Sequence, residues 1–136
     1  MKLTEYSKLA NLEYKNYIVL VRFGNFYKCF DDDALIVGYL LDYKVKDNIV
    51  AFPLSSLGKV IITLKNNNVS AVIVKEQGNI MNVEVMENNY KKILEEAKEE
   101  AILTNKMKDL GHRMRLLLKD DLNNYEKIRD YLIKLN

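Results

Sequence analysis

The sequence predicts a mixed α/β (α+β) domain, in which a central β-sheet is flanked by helices and followed by a helical C-terminal extension. Three observations favour this class. Two apolar runs, over residues 17–21 and 69–74, are long enough for strands that are buried on both faces. Segments with helical spacing of apolar residues alternate with these runs. Residues 89–136 contain no proline and a single glycine, which is typical of long helices.

The individual elements follow from apolar periodicity. Helices are predicted where apolar residues recur every three or four positions, and strands where apolar residues run continuously or alternate with polar ones. The predicted order is a helix over residues 6–14, strands over 17–21 and 26–30, a helix over 31–41, strands over 43–46 and 49–52, a helix over 57–65, and strands over 69–74 and 80–86.

Turn and cap residues separate these elements. Gly24-Asn25 is a turn signal, because glycine adopts positive φ without a steric penalty. Asp47-Asn48 can accept left-handed angles and is predicted to join the two strands of a hairpin. The carboxylates of Asp31-Asp32-Asp33 are expected to cap the free N–H groups of the helix that they begin. Thr4, and Ser55 or Ser56, are expected to cap two further helices.

The domain of residues 1–87 is predicted to lead into a helical extension over residues 88–136. Asn88 or Asn89 would cap its first helix. We expect two helices, broken near Gly111 or Asp120-Asp121, that form a hairpin or extend as a coiled coil. Their apolar stripe either packs within the protein or mediates self-association or docking on a partner protein.

Composition excludes several classes of function. The net charge is only +2, so any DNA affinity has to come from the local placement of cations. The two glycines five residues apart that a phosphate-binding loop requires are absent. The chain has one cysteine and one histidine, too few for a zinc site, and no apolar run reaches the ~18 residues of a membrane span. We therefore expect a cytoplasmic protein that is not an enzyme and has no metal, cofactor or membrane contact.

Two weaker candidates for chemistry remain in the sequence. Cys29 and His112 could pair as nucleophile and base, but no motif supplies a third, orienting group. The three consecutive aspartates could bind Mg²⁺, although capping of a helix explains them better.

The strand of residues 26–30 carries the candidate binding residues. Side chains alternate along a strand, so Phe26 and Lys28 share one face while Tyr27 and Cys29 share the other. A lysine ammonium is rarely buried without a partner, which favours an inward orientation for Tyr27 and Cys29. Phe26 is then either an aromatic wedge for a nucleic acid base beside a cation, or a side chain packed under a neighbouring helix.

The stretch Arg22-Phe23-Gly24-Asn25-Phe26-Tyr27-Lys28-Cys29-Phe30, with the aspartates and Ala34 after it, resembles the N-terminal mismatch-recognition domain of MutS, the DNA mismatch repair ATPase. The pattern of that family is Arg-x-Gly-Asp-Phe-Tyr-Glu-x-Phe, followed by acidic residues and Ala. Phe52-Pro53 and the strand of residues 71–77 resemble later segments of the family in the same order. The resemblance implies a MutS domain I-like fold and a DNA-binding function.

The same resemblance implies roles for individual residues. Phe26 would stack on a mispaired, bulged or looped base of duplex DNA. The family's Glu is replaced by Lys28, which donates hydrogen bonds but accepts none. Lys28, together with Arg22, Lys44 and Lys46, is therefore expected to contact phosphates. A repair protein is a further expected partner.

A second hypothesis belongs to a different class of function. The chain could be a protein–protein interaction module that keeps this fold, has lost DNA binding and forms a homodimer through residues 88–136. The low net charge, the replacement of Glu by Lys28 and the amphipathic extension favour it.

Overall fold

The computed structural model of the chain describes residues 12–75 and 79–135. The Thr4 cap, most of the helix of residues 6–14 and Glu76-Gln77 of the MutS-like strand lie outside the described residues. The chain divides between Lys98 and Glu99 into two units, which are considered separately below.

The first unit is built on a mixed β-sheet, which confirms the predicted α+β class. Within the described residues the sheet has five strands in the order β3-β2-β1-β4-β5. The central pair, β1 and β4, is parallel, and each of the other neighbouring pairs is antiparallel. The strands are β1 (Ile18–Phe23), β2 (Phe26–Phe30), β3 (Ile49–Pro53), β4 (Ala71–Val74) and β5 (Ile80–Val83).

Helices of the first unit cover one face of this sheet. The described part of the chain contains α1 (Asp31–Leu41), α2 (Leu57–Asn66), α3 (Tyr90–Asp120) and α4 (Asn124–Lys134), with a short 3₁₀ helix, Leu54–Ser56, before α2. Residues of α1, α2 and the first turns of α3 join the strands in one buried core, because the apolar stripe of each helix meets the apolar sheet face. No helix within residues 12–75 and 79–135 has both the length and the apolarity needed to cross a membrane.

The opposite face of the sheet has two different halves. Over β1 and β4, four valines are buried, and Tyr14 and Tyr17 pack against them. Over β2 and β3 the register places Phe26 beside Pro53 and Lys28 beside Ala51, and these side chains are half-buried or exposed. The exposed half of this face therefore includes β2, the strand that carries the predicted binding residues Phe26 and Lys28.

The segment between α1 and β3 differs from the prediction. Residues 43–46 do not form a strand, and a single bridge between Lys46 and Ile49 remains of the expected hairpin. The turn itself is confirmed, since Asp47 and Asn48 both have positive φ, 52° and 63°. The cause is packing, because Tyr43 and Val45 lie against the core instead of following β3.

Two of the predicted helix caps are wrong and one is confirmed. Phe30 is the N-cap residue of α1, and its apolar side chain makes no cap hydrogen bond, while Asp33 turns into the core. Ser56 likewise caps α2 without a side-chain hydrogen bond. Asn88 does act at the start of α3, where its side-chain oxygen accepts a hydrogen bond of 3.3 Å from the N–H of Tyr90.

The second unit consists of the end of α3 and all of α4. Helix α3 continues through Gly111 and ends at Asp120, so the break falls at the two aspartates. The side chain of Asn124 then donates a hydrogen bond of 3.0 Å to the backbone oxygen of Leu117, which turns α4 back along α3. We refer to residues 99–135 as the C-terminal hairpin.

Candidate functional site

The turn between β1 and β2 sets the geometry of the candidate site. Gly24 and Asn25 form a two-residue connection, and Gly24 has a φ of 60°. Glycine at the first position of such a connection is typical of a type II′ turn, whose twist matches that of the flanking strands. This tight turn makes Phe23 and Phe26 direct cross-strand partners.

Both phenylalanine rings are exposed to solvent. Phe23 is 55% exposed and Phe26 is 47% exposed, although large aromatic side chains are usually buried. Cross-strand partners in an antiparallel pair point to the same face, so the two rings stand side by side at the end of the hairpin. We call Phe23, Phe26 and Lys28 the aromatic tip.

The inward face of β2 holds this tip in place. Tyr27 is 4% exposed and Cys29 is fully buried, so the orientation predicted from strand alternation is confirmed. The ring of Tyr27 stacks on that of Phe52 with centroids 6.0 Å apart. The exposed rings are therefore mounted on a strand whose other face is packed in the core.

Lys28 reaches toward the tip. It pairs with Val21 on β1, and its Nζ lies 4.7 Å from the centroid of the Phe23 ring. A cation over an aromatic face at this distance is attracted by the ring quadrupole, an interaction worth about 0.5–1 kcal/mol at an exposed site. The ammonium is thus held beside the two exposed rings.

The structure separates Arg22 from this group. Arg22 is paired with Tyr27, so the register places it on the helix-covered side of the sheet, opposite Phe26 and Lys28. Its Nε donates a hydrogen bond of 3.3 Å to the backbone oxygen of Gly24. Arg22 therefore stabilises the turn between β1 and β2, on which the aromatic tip is held.

The two other predicted lysines lie in the segment that precedes β3. Lys44 and Lys46 are both exposed, whereas Tyr43 and Val45 are half-buried, so the predicted alternation holds. Lys46 bridges to Ile49, which is paired with Phe30 at the end of β2 away from the turn. Lys46 therefore borders the same sheet face as Lys28, but at its other end.

Phe23 is the member of the tip that sequence reasoning missed. The apolar run of β1 predicts a strand buried on both faces, and Phe26 is the one aromatic wedge that the sequence predicts. The signal was present in the turn, because a two-residue connection at Gly24-Asn25 makes its flanking residues a cross-strand pair.

A different chemistry occupies the opposite end of β2. Phe30 lies four residues from Phe26, about 13 Å along an extended strand. The aspartates follow Phe30, and they line a cavity of about 410 Å³ together with Tyr14, Tyr17 and Tyr90. The acidic residues thus begin at the end of β2 opposite the aromatic tip.

Asp33 is the buried member of that acidic group. Its Oδ2 accepts a hydrogen bond of 2.9 Å from the N–H of Val19, and its Oδ1 accepts one of 2.6 Å from the Tyr90 hydroxyl. Burial raises the pKa of Asp33 to about 7, although both hydrogen bonds oppose that shift. Burial also raises the pKa of the Tyr90 hydroxyl, and the charge of Asp33 adds to the effect.

Neither of the weaker chemical candidates gains support from the geometry. Cys29 has no exposure, and burial raises the pKa of its thiol far from the range of a reactive thiolate. Within the described parts of the chain, no group of three or more His, Cys, Asp and Glu residues is arranged to hold a metal ion.

Comparison with known proteins identifies one family. The sequence model of the family described as MutS domain I matches residues 3–94, which is more than half of the chain. The matched region contains β1 to β5 and the beginning of α3, and it ends before the C-terminal hairpin. No curated protein matches the chain.

Proposed function

The chain belongs to the MutS domain I family, and we propose that it is a non-catalytic DNA-binding module that recognises mispaired, bulged or looped bases through the aromatic tip. The single observation that carries the proposal is the exposed Phe26 ring, which stands beside Phe23 and a lysine ammonium at the end of a tight hairpin.

Phe26 is proposed to act as the wedge. An aromatic side chain that stacks on a nucleic acid base gains about 1–3 kcal/mol. Insertion into a perfect duplex costs a few kcal/mol for each base step that is unstacked, and this cost is smallest where a base is already unpaired. The balance of these two terms favours bulges, loops and mispairs over perfect duplex.

The second ring distinguishes this tip from a single wedge. Phe23 lies directly opposite Phe26 and offers another apolar surface to a displaced base or to the adjoining sugar. It also holds the Lys28 ammonium by a cation–π contact. A ligand that approaches the tip therefore meets two rings and one cation together.

Lys28 determines what kind of polar contact the tip makes. It has three N–H donors and no acceptor, so it is suited to phosphate oxygens and to acceptor atoms on base edges. The family's Glu would instead accept a hydrogen bond from the base. We therefore propose that this module detects the presence of an accessible base, and that it discriminates weakly between different base–base mispairs.

Local charge supports binding to DNA despite the low net charge. Residues 17–30 contain no carboxylate, and Lys28 is the cation of the aromatic tip. The three aspartates begin only after the far end of β2. A phosphate backbone that approaches the tip thus meets positive charge first, which favours association.

The test is fluorescence anisotropy at low salt, with a labelled duplex that carries a single-nucleotide bulge and a perfect duplex of the same flanking sequence. We expect the wild-type protein to bind the bulged duplex roughly tenfold more tightly, in line with the energy of one stacking contact. Phe26→Ala should abolish this preference.

Ile62→Ala is the matched control. Ile62 is 60% exposed, but it lies on α2, which packs on the other face of the sheet. This variant should keep the wild-type preference for the bulge. If Phe26→Ala prefers the bulged duplex as strongly as the control does, Phe26 is not a wedge and the proposal fails.

A further inference from the structure

The C-terminal hairpin leaves its apolar side chains uncovered. None of the described residues from 99 to 135 is buried. Large apolar side chains remain about half exposed or more at Leu110, Leu117, Tyr131 and Leu135, among others. Contiguous exposed apolar surface of this kind marks an interaction site.

These side chains line a defined groove. A cavity of about 490 Å³ runs between α3 and α4, and Leu110, Leu117, Tyr131 and Leu135 border it. Met114, Ile128 and Leu132 line this cavity and also a second cavity, of about 310 Å³, on the other side of the two helices. These three shared residues lie between the helices, so the cavity of about 490 Å³ lies on one outer face of the hairpin, and we call it the wide groove.

The size of the hairpin requires additional support. Below about 40 residues, a folded unit usually needs a disulfide, a metal ion or oligomerisation, because it buries too little surface by itself. Residues 99–136 contain no cysteine and only one histidine, so neither a disulfide nor a cluster of soft metal ligands is available. Burial of the apolar side chains against another polypeptide surface can supply this support.

The sequence of α3 indicates another helix as the occupant of the groove. Leu103, Met107, Leu110, Met114 and Leu117 follow one another at spacings of four, three, four and three residues. This is the repeat of a coiled-coil seam, which packs against a helix of the same period. Since Leu110 and Leu117 line the wide groove, the repeat and the groove share one face.

The charge of the hairpin selects the partner. Residues 99–136 carry eight Lys and Arg against seven Asp and Glu, a net charge of +1. A nucleic acid partner calls for a strongly basic surface, and a strongly charged peptide calls for the opposite sign. A surface with balanced charges can face its own copy without net repulsion, and two-fold dimers are the commonest protein oligomers.

We propose that the wide groove binds the C-terminal hairpin of a second copy of this chain, so that the protein is a two-fold dimer held by a four-helix bundle. Two hairpins are the smallest assembly in which every helix directs its apolar stripe toward a common centre. The proposal concerns residues 99–135 and is independent of the DNA-binding tip.

The experiment measures the mass of the full-length protein by light scattering and by sedimentation equilibrium over a series of concentrations. We expect a species of twice the 15.9 kDa chain mass that dissociates on dilution. Leu117→Glu should raise the dimer dissociation constant by about 100-fold, as for the loss of a central apolar contact. A protein that stays monomeric at every concentration overturns the proposal.

Leu116→Glu is the matched control, because Leu116 is 50% exposed and adjacent to Leu117, which is 49% exposed, but lines neither cavity of the hairpin. It should leave the dissociation constant within about threefold of wild type. Circular dichroism verifies that each variant keeps its helices.

If Leu117→Glu fails to fold, Leu117→Ala replaces it, with an expected rise in the dissociation constant of about tenfold. Equal effects of the variants at positions 116 and 117 would contradict the proposed face. Phe26→Ala should remain dimeric, which separates this test from that of DNA binding.

Discussion

The hydroxyl of Tyr90 donates a hydrogen bond of 2.6 Å to the carboxylate of Asp33, 57 residues earlier in the chain. The other oxygen of the same carboxylate accepts the N–H of Val19 in β1. The pairing of β1 with β2 ends at Val21, so β2 offers no hydrogen-bond partner to the N–H of Val19. The Asp33 carboxylate provides that partner. One buried side chain thus connects β1, α1 and the start of α3.

Asp33 makes stability depend on pH. Burial raises its pKa from an ordinary value of 3.8 to about 7, so between these values the folded protein retains a proton that the unfolded chain loses. The stabilisation of the folded state by protonated Asp33 is therefore fully present below about pH 4 and is lost as the pH rises through 7.

We expect Asp33→Asn to remove this pH dependence of the free energy of unfolding, because the amide oxygen still accepts the N–H of Val19 and the side chain stays neutral at every pH. The free energy of unfolding of the variant, relative to wild type, should increase from pH 4 to pH 7 by up to a few kcal/mol, at 1.4 kcal/mol per pH unit. Urea unfolding followed by circular dichroism measures it. Parallel pH profiles of the two proteins would contradict the assignment.

Tyr90→Phe should destabilise the protein by about 1–3 kcal/mol at pH 8, since a buried carboxylate oxygen then loses its donor. The loss should be smaller at pH 5, where Asp33 is protonated. Tyr39→Phe is the control, because its hydroxyl also joins α1 to α3, at 3.4 Å from Glu96, but on the exposed surface. It should cost about 0.5 kcal/mol or less in the same urea titration. Equal losses of unfolding free energy in Tyr90→Phe and Tyr39→Phe would contradict a stabilising role for the buried hydrogen bond to Asp33.

Gly38→Ala should destabilise the first unit by about 1–3 kcal/mol, although alanine is the better helix former. A β-carbon at this position would lie 2.7 Å from a methyl group of Val45 and 3.0 Å from the backbone oxygen of Tyr43. Gly58→Ala in α2 is the control, because a β-carbon there meets no atom within 4 Å. It should be neutral or stabilising by up to about 1 kcal/mol. Thermal or urea unfolding compares them, and a stabilised Gly38→Ala protein would refute the close approach.

Lys28→Gln should weaken DNA binding and reduce its salt dependence. Each phosphate contact contributes about 0.9 to the slope of log affinity against log salt concentration, so the slope should fall by about 1. Anisotropy titrations at several salt concentrations measure it. Lys59→Gln, at an exposed position of α2 on the other face of the sheet, should keep the wild-type slope. An unchanged slope for Lys28→Gln would exclude a phosphate contact of this lysine.

Local sequence patterns were sufficient for much of the fold and for part of the site. The alternation in β2 gave the orientation of Phe26 and Lys28 correctly, because successive side chains of any strand point to opposite faces. Positive φ at Asp47 and Asn48 was also foreseen, since Asp and Asn tolerate left-handed angles. Both properties depend on neighbours in the chain.

Properties that depend on distant segments were not predictable in the same way. Three aspartates at a helix start are typical of caps, but Asp33 is buried because Val19 and Tyr90 converge on it from two other elements. Residues 43–46 alternate like a strand, but they pack beside Gly38 and make only a single bridge with β3, between Lys46 and Ile49.

Residue type and apolar period, which act within a few positions of the chain, were enough to predict the α+β class and the two faces of β2, and the resemblance of the motif around Gly24-Asn25 was enough to indicate the family. Only the packing of distant segments made Asp33 a buried link between β1, α1 and α3, and only that packing kept residues 43–46 out of the sheet. Strand register and helix docking bring these groups together, and both are set by packing between segments that are far apart in sequence.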